Sequence, residues 1–247
     1  MIDWDKQPVH SCAFYLFIMM MSCTSSAQKI EDSRFVIHVV DLETQTLKFY
    51  HQNDTGTNFG NFKNLRHSLL NKDEELVFAM NGGMYLKDGS PQGLFIENGL
   101  KIKELDTTNE AYGNFYLQPN GIFYLTKENT GVVCKTNEFK MNTNIVYATQ
   151  SGPMLVIDGE IHPTFVKDSE NLNIRNGIGV LPDGKLLFAM SKDSITLYDF
   201  ADFFKSHACI NALYLDGFVS RTYLPKKNWE QLDGNFGVII GETKILD

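Results

Sequence analysis

The stretch Gly93-Leu94-Phe95-Ile96-Glu97-Asn98-Gly99 has a near copy about 60 residues on, Pro153-Met154-Leu155-Val156-Ile157-Asp158-Gly159. Each is a short apolar run closed by an Asn-Gly or Asp-Gly pair. Such pairs supply the positive φ angles that two-residue hairpin turns demand, so each stretch reads as a strand entering a hairpin. Two further pairs, Asn120-Gly121 and Asp183-Gly184, follow apolar runs in the same way. Phe115-Tyr116-Leu117-Gln118-Pro119-Asn120-Gly121 can be laid beside Ile178-Gly179-Val180-Leu181-Pro182-Asp183-Gly184 as a second matching pair. The four turns predict antiparallel sheet, and the two matches suggest an internal pseudo-repeat. Hairpins without a common origin also look alike, so the match does not by itself decide between the two readings. The copies are too few, and their period too long, for a solenoid or propeller.

Outward from these turns the texture stays strand–turn–strand. Residues 34–41 and 46–50 read as strands. Two amphipathic helices interrupt the pattern. One runs from about Asn58 to Lys72, with Phe59, Phe62, Leu65, Leu69 and Leu70 at helical spacing; the other runs from about Leu197 to His207, with Leu197, Phe200, Phe203 and Phe204 on one face. Each leads into an apolar strand, Leu76–Met80 and Ala212–Leu215. No Pro/Ser/Gly-rich linker divides the chain after the N-terminal segment. The expected fold is α+β: residues 30–247 as a single strand-rich domain of largely antiparallel or mixed sheet with a few packed helices. A chain of 247 residues is ample for one core.

Residues 1–29 stand apart. Ser11–Met21 is an apolar run of signal-peptide length, too short for a membrane span. Met20-Met21-Ser22-Cys23 resembles a lipobox, in which Cys23 would carry the lipid. Ser25-Ser26-Ala27 is a small-residue site that would instead release a soluble protein beginning at Gln28. The expectation is export, as a periplasmic or outer-envelope lipoprotein or as a secreted soluble protein, with membrane attachment only through Cys23. The mature chain keeps Cys134 and Cys209. These could form one disulfide, although buried free thiols are the commoner arrangement in apolar surroundings.

Composition removes several function classes. An apolar fraction of 43 % with 21 % charged residues excludes a disordered or collagen-like chain. The balance is acidic, 22 Lys and Arg against 30 Asp and Glu, with no dense basic patch, which speaks against nucleic acid as partner. An acidic protein can still hold an anion through one or two placed arginines. No Cys-x-x-Cys or His-x-x-x-His spacing suggests a structural zinc site, and no cofactor is implied.

Four polar, glycine-bearing turns end or precede apolar strands, and they carry whatever chemistry there is. In Asn81-Gly82-Gly83-Met84-Tyr85, paired glycines allow either close backbone approach to a ligand or a tight turn. In Gln150-Ser151-Gly152-Pro153, Ser151 lacks the Gly-x-Ser-x-Gly setting of a nucleophile and has no histidine in a comparable turn, so it reads as a hydrogen-bond donor or turn former. In Asn173-Ile174-Arg175-Asn176-Gly177, an arginine opening an apolar strand needs a partner, either an internal carboxylate or a bound carboxylate or phosphate. In Tyr214-Leu215-Asp216-Gly217-Phe218-Val219-Ser220-Arg221, Asp216 ends an apolar strand as either a turn cap or a working carboxylate. Tyr85, Tyr223 and Trp229 could stack on a sugar, though such aromatics more often belong to the core.

Together the segments Asn-Gly-Gly-Met-Tyr, Gly-Asn-Phe-Tyr-Leu-Gln-Pro-Asn-Gly, Gln-Ser-Gly-Pro-Met-Leu, Ile-Arg-Asn-Gly-Ile-Gly-Val and Ala-Leu-Tyr-Leu-Asp-Gly occur in order between Met80 and Tyr223. That set resembles the phosphodiester glycosidase family, most closely its compact bacterial branch, many of whose members are exported. The resemblance implies hydrolysis of a sugar 1-phosphodiester, with a phosphorylated glycan or sugar 1-phosphodiester as substrate. Carried over by motif, Arg175 would engage the phosphodiester and Asp216 would be the central carboxylate. Asn81, Gly82 and Gly83 would line the site, with Ser151-Gly152 as its wall; Asn120, Asn176, Gly217 and Ser220 would complete the substrate contacts. The resemblance leaves open whether Asp216 serves as base, nucleophile or electrostatic stabiliser. Two departures stand out. The family's Asn-Leu-Asp-Gly-Gly-Gly-Ser reads here Tyr214-Leu215-Asp216-Gly217-Phe218-Val219-Ser220, and its Arg-Thr reads Arg175-Asn176. The lost glycines should narrow the pocket or change its backbone. The rival expectations are a non-catalytic envelope module that binds phosphorylated glycans, and a metal-dependent phosphodiesterase. The latter needs clustered carboxylates or histidines that these motifs lack.

Overall fold

A computed structural model of the chain describes residues 30–216 and 219–246. Residues 1–29, read above as an export signal with Cys23, and Gly217 of the fourth turn lie outside the described residues. The chain begins with β1 (Phe35–Val40), β2 (Thr46–Tyr50), helix α1 (Phe62–Leu70) and β3 (Glu74–Asn81). Five strands follow: β4 (Phe95–Glu97), β5 (Leu100–Lys103), β6 (Gly121–Thr126), β7 (Gly131–Lys135) and β8 (Ile145–Ser151). Next come β9 (Met154–Ile157), β10 (Glu160–Ile161), β11 (Asn176–Val180), β12 (Leu186–Ser191), helix α2 (Leu197–Ser206) and β13 (Ala212–Tyr214). The chain closes with β14 (Thr222–Leu224), β15 (Trp229–Glu230) and β16 (Ile239–Ile245).

These strands form three antiparallel sheets. The first runs β1-β12-β11-β13-β9-β10, the second β15-β14-β3-β16-β2 and the third β5-β4-β8-β6-β7. Read from β10, the first sheet has the order β10-β9-β13-β11-β12 before β1 is added. The third sheet repeats that order one for one: a hairpin, a second hairpin, and a fifth strand inserted between them. The pseudo-repeat is therefore a topological fact, β4–β8 against β9–β13. The first sequence match is in register: Asn98-Gly99 and Asp158-Gly159 turn the β4–β5 and β9–β10 hairpins, all four residues having positive φ. Asp183-Gly184 turns β11 into β12. The expected turn at Asn120-Gly121 is corrected. It makes no hairpin; Asn120 is buried and Gly121 opens β6. Its counterpart in the second half is the start of β11, so the true second match is Asn120-Gly121-Ile122 with Asn176-Gly177-Ile178.

All three sheets face one core. Val36, Phe49, Phe78, Phe95, Phe123, Met154, Phe188, Leu213 and Ile240 meet there. Alternation along the strands sends their neighbours outward. Ala212 and Tyr214 pack with Phe200, Phe203 and Phe204 of α2 on the outer face of the first sheet. Ala79 and Ile239 pack with Phe62, Leu65 and Leu69 of α1 on the second. Helix α1 is shorter than its hydrophobic pattern suggests. Gly60 sits at φ +69°, and the Asn61 side chain accepts from Asn64 N as the N-cap, so residues 58–61 stay outside the helix. Helix α2 begins where expected, capped by Thr196. A buried polar tie joins the first and second sheets: His38 Nε2 lies 2.5 Å from Glu242 Oε2, and Gln45 donates to the other oxygen at 2.7 Å. Cys134 and Cys209 are both free thiols, and burial pushes them up to about 11 and about 12.

Candidate functional site

The topology brings the four sequence turns to one end of the molecule. There β3, β8 and β13 finish, and β6, β11 and β14 begin. Two buried amides knit the turns together. Asn176 Nδ2 donates to Asn81 O at 2.9 Å and to Asn81 Oδ1 at 3.0 Å. Asn81 Nδ2 in turn donates to Asp216 O at 3.0 Å, and its Oδ1 accepts Arg221 N at 2.9 Å. Asn176 Oδ1 accepts Asp216 N at 3.1 Å and Ser220 Oγ at 3.2 Å. The loop carrying Asp216 is thus held at both ends, through the backbone of Asp216 and of Arg221. A side-chain amide offers two donors and a carbonyl acceptor at one tip, and a buried backbone group left without a partner carries a penalty. This explains why polar residues end two otherwise apolar strands.

The glycines act by size. Gly82 and Gly83 do not adopt positive φ. A Cβ on Gly82 would meet Val238 Cγ1 at 2.6 Å, and one on Gly83 would meet Thr149 Oγ1 at 2.2 Å and Gln150 O at 2.7 Å. The close approach that these glycines permit is made here by Thr149 and Gln150 of β8 and by Val238. Gly152 is pressed against Asn120 in the same way, with 2.6 Å from its virtual Cβ to Asn120 Cβ. Ser151 is fully buried and its hydroxyl donates to the Leu215 carbonyl, locking the end of β8 to the end of β13 just before Asp216. Asn120 donates to Phe115 O at 2.9 Å, while its buried Oδ1 has no donor among the described residues. Asn120 also floors a cleft of about 600 Å³ lined by Asp106, Thr107, Asn109, Gln118, Thr136 and Asn137.

Arg175 and Asp216 occupy the other face of the same strand ends. The β11–β13 register pairs Gly177 with Tyr214, and Leu215 N donates to Asn176 O at 3.1 Å. Continued by one pair, it brings the backbone of Arg175 opposite that of Asp216. The Arg175 side chain has 0 % exposure. Its Nε donates to Ile195 O at 2.8 Å, Nη1 to the Tyr214 hydroxyl at 3.3 Å, and Nη2 to Asn171 O and Oδ1 at 2.7 and 3.2 Å. The guanidinium also sits 5.6 Å from the Tyr214 ring centroid. Every oxygen in this set is neutral. Burial draws the Arg175 pKa down from its ordinary value, and a guanidinium stays charged at neutral pH regardless. The half-buried Asp216 carboxylate makes itself felt at Tyr85, whose phenol is pushed up by burial first and by that charge second. Tyr85 donates to the Asn235 carbonyl.

Several residues around the site escape a reading of sequence. Tyr214 reads as one more apolar strand residue. Asn171 lies in a polar loop without a pattern. Arg221, whose guanidinium clasps Asp233 through three contacts of 3.0 to 3.1 Å, was visible as an arginine closing the fourth turn. Of the aromatic candidates, Tyr223 belongs to the α1 core and Trp229 packs against the central core; Tyr85 alone stands beside Asp216. Among the described residues no three His, Cys, Asp or Glu side chains cluster as a metal site would require, and no helix is long and apolar enough to cross a membrane.

Comparison with known proteins joins this geometry to the sequence motifs. The chain is 35 % identical over 191 residues to the uncharacterized protein YigE of Escherichia coli K12, covering 76 % of this chain and 73 % of that one. Among solved structures, it resembles the catalytic domain of zebrafish N-acetylglucosamine-1-phosphodiester alpha-N-acetylglucosaminidase, auto-inhibited by its pro-peptide. The TM-score is 0.56 at 14 % identity, over 87 % of this chain and 84 % of that one. A Synechocystis protein aligns with TM-score 0.53 at 13 % identity, over 85 % of this chain and 59 % of that one. These two likenesses are of fold. The family description "phosphodiester glycosidase" matches residues 74–238, which run from the start of β3 through all four turns to the eve of β16. The chain belongs to the phosphodiester glycosidase family.

Proposed function

We propose that the protein hydrolyses the glycosidic bond of a sugar 1-phosphodiester, with Arg175 clamping the phosphate and Asp216 as the central catalytic carboxylate. Family membership supports a phosphorylated sugar as substrate. The observation that carries the assignment of roles is the fully buried Arg175 guanidinium. Among the described residues its hydrogen bonds all go to neutral oxygens, and the β11–β13 register brings its backbone across from that of Asp216. A buried cation without a counter-ion is costly, and a phosphodiester anion removes that cost.

The chemistry asks little more. Water supplies the oxygen that joins the anomeric carbon, the C–O bond to phosphate breaks, and the products are a free sugar and a phosphomonoester. Phosphate leaves readily as an anion, so the proton-donating partner of an ordinary glycosidase pair is less needed. Asp216 then serves the sugar side, where positive charge develops. Its backbone is anchored by Asn81 and Asn176, which suits a group that must not move. We infer export from residues 1–29, which the N-terminal mass of the mature protein tests directly.

The decisive experiment is a screen of purified protein against sugar 1-phosphodiesters differing in sugar and anomer, run in ¹⁸O-water with Asp216→Asn as control. The label is expected in the sugar. Label in the phosphate, or full activity in the variant, refutes the reading. Binding without turnover favours the alternative of a non-catalytic module for phosphorylated glycans.

A further inference from the structure

Resting on the assignment of Arg175 as phosphate clamp, we propose that Asn171 is a place-holder for the substrate anion. Its two oxygens occupy Arg175 Nη2 in the free protein and are exchanged for phosphate oxygens on binding. The three groups around the guanidinium differ in how firmly they are held. Tyr214 is 1 % exposed and packed among α2 side chains. The Ile195 carbonyl belongs to a two-way bridge with Asn173, at 3.2 and 2.9 Å. Asn171 is exposed and lies in the irregular segment between β10 and β11, where Val166 and Leu172 are 64 % and 54 % exposed. The guanidinium itself has no exposure, so an anion reaches it by displacing a partner, and Asn171 is the partner on the surface. Asn171 Oδ1 is shared with Asn173 Nδ2 at 2.6 Å, which gives the amide a second donor and sets its direction.

The identity of the residue matters. An amide and a carbonyl are neutral acceptors, so they satisfy the donors of a buried guanidinium without cancelling its charge. A carboxylate at the same position would be about the same size and would cancel it, because charge-assisted bonds are roughly twice as strong as neutral ones. The family's clamp would then be permanently filled. Asn171 is a positioning and gating residue in this scheme, and it takes no part in bond breaking.

The test uses the full chain with Asn171→Asp and Asn171→Gly. Inorganic phosphate and glucose 1-phosphate serve as probes in thermal melts, alongside kinetics on any diester the screen identifies. Phosphate is expected to raise the Tm of the parent, and Asn171→Asp is expected to raise Tm in phosphate-free buffer, to abolish that phosphate-dependent rise, and to raise KM at least ~10-fold with a smaller change in kcat. Asn171→Gly, which cannot present Oδ1, is expected to tighten phosphate binding. If Asn171→Asp responds to phosphate as the parent does, or if phosphate stabilises none of the three proteins, the place-holder is overturned. If the expected Tm pattern appears but no diester is turned over, the place-holder stands and the hydrolytic reading falls. If diesters are turned over and both variants match the parent in KM, the reverse holds.

Discussion

The two halves of the repeat, β4–β8 and β9–β13, share a strand order and diverge in chemistry. Asn120-Gly121-Ile122 opens β6 as Asn176-Gly177-Ile178 opens β11. Extending the β6–β8 register, which pairs Gly121 with Ser151, sets Pro119 opposite Pro153. Extending the β11–β13 register in the same way sets Arg175 opposite Asp216. Where one half carries two prolines, the other carries a cation and a carboxylate. The opening asparagines follow suit. Asn176 binds β3 and both ends of the Asp216 loop, whereas among the described residues the Asn120 side chain bonds to the Phe115 carbonyl alone. In the function proposed above, one copy of the scaffold serves as wall and floor, and the other supplies the reactive face.

The widest separation between the halves is expected in turnover. Asp216→Asn should lower kcat by at least ~10²-fold while the melt stays cooperative. Asn120→Ala should leave kcat within about 3-fold and raise KM if the cleft it floors receives part of the substrate. Steady-state kinetics on one diester, with both variants side by side, decides the matter. Equal losses in kcat would erase the functional asymmetry. The asparagines should next differ in stability. Asn176→Ala removes the donors to Asn81 and the acceptor of Asp216 N and Ser220, leaving buried groups unsatisfied. A loss of about 3 kcal/mol is expected, against about 1 kcal/mol for Asn120→Ala. Urea denaturation midpoints at constant slope measure both.

Much of this asymmetry is legible in sequence, and the part that is not has a physical reason. Hairpin turns are local, so Asn98-Gly99 and Asp158-Gly159 announce themselves and align the first strands of the two halves. Asn120-Gly121 looks the same in one dimension. Its asparagine, however, is called inward by a carbonyl five residues earlier, and the glycine is needed because Met154 Sδ would lie 2.4 Å from a Cβ there. That long-range packing shifts the second match out of register. Gly82-Gly83 likewise signals a close approach without saying what approaches. Arg175 and Asp216 can be picked out because charges at the ends of apolar strands demand partners, but of the Arg175 partners only Asn171 is local, while Ile195 and Tyr214 arrive from 20 and 39 residues further along the chain. Gly83→Ala tests the packing account at a smaller scale. The added methyl meets Thr149 and the Gln150 carbonyl, so a loss of about 2 kcal/mol is expected by denaturation, with KM changed less than stability.

The smallest expected effect lies outside both halves and separates the charge used for chemistry from the charge used for structure. His38 on β1 and Glu242 on β16 are buried together, with neutral His38 donating to ionised Glu242. Burial holds the His38 pKa below its ordinary 6.5, against the raising effect of Glu242. For Glu242, burial pushes upward, but the hydrogen bonds from His38 and Gln45 prevail and hold it below 4.5. Both folded-state values are depressed, so the unfolded chain takes up protons first as pH falls. Stability from this pair is complete above about pH 6.5, declines below it as unfolded His38 becomes charged, and declines further below pH 4.5 through Glu242. Replacing the pair together by His38→Gln and Glu242→Gln should flatten the stability–pH curve over that range. The pH profile of kcat, which the proposed function assigns to the second half of the repeat, should keep its shape. A kcat profile that moves with the double variant would tie this inter-sheet pair to the site and break the separation between the two kinds of buried charge.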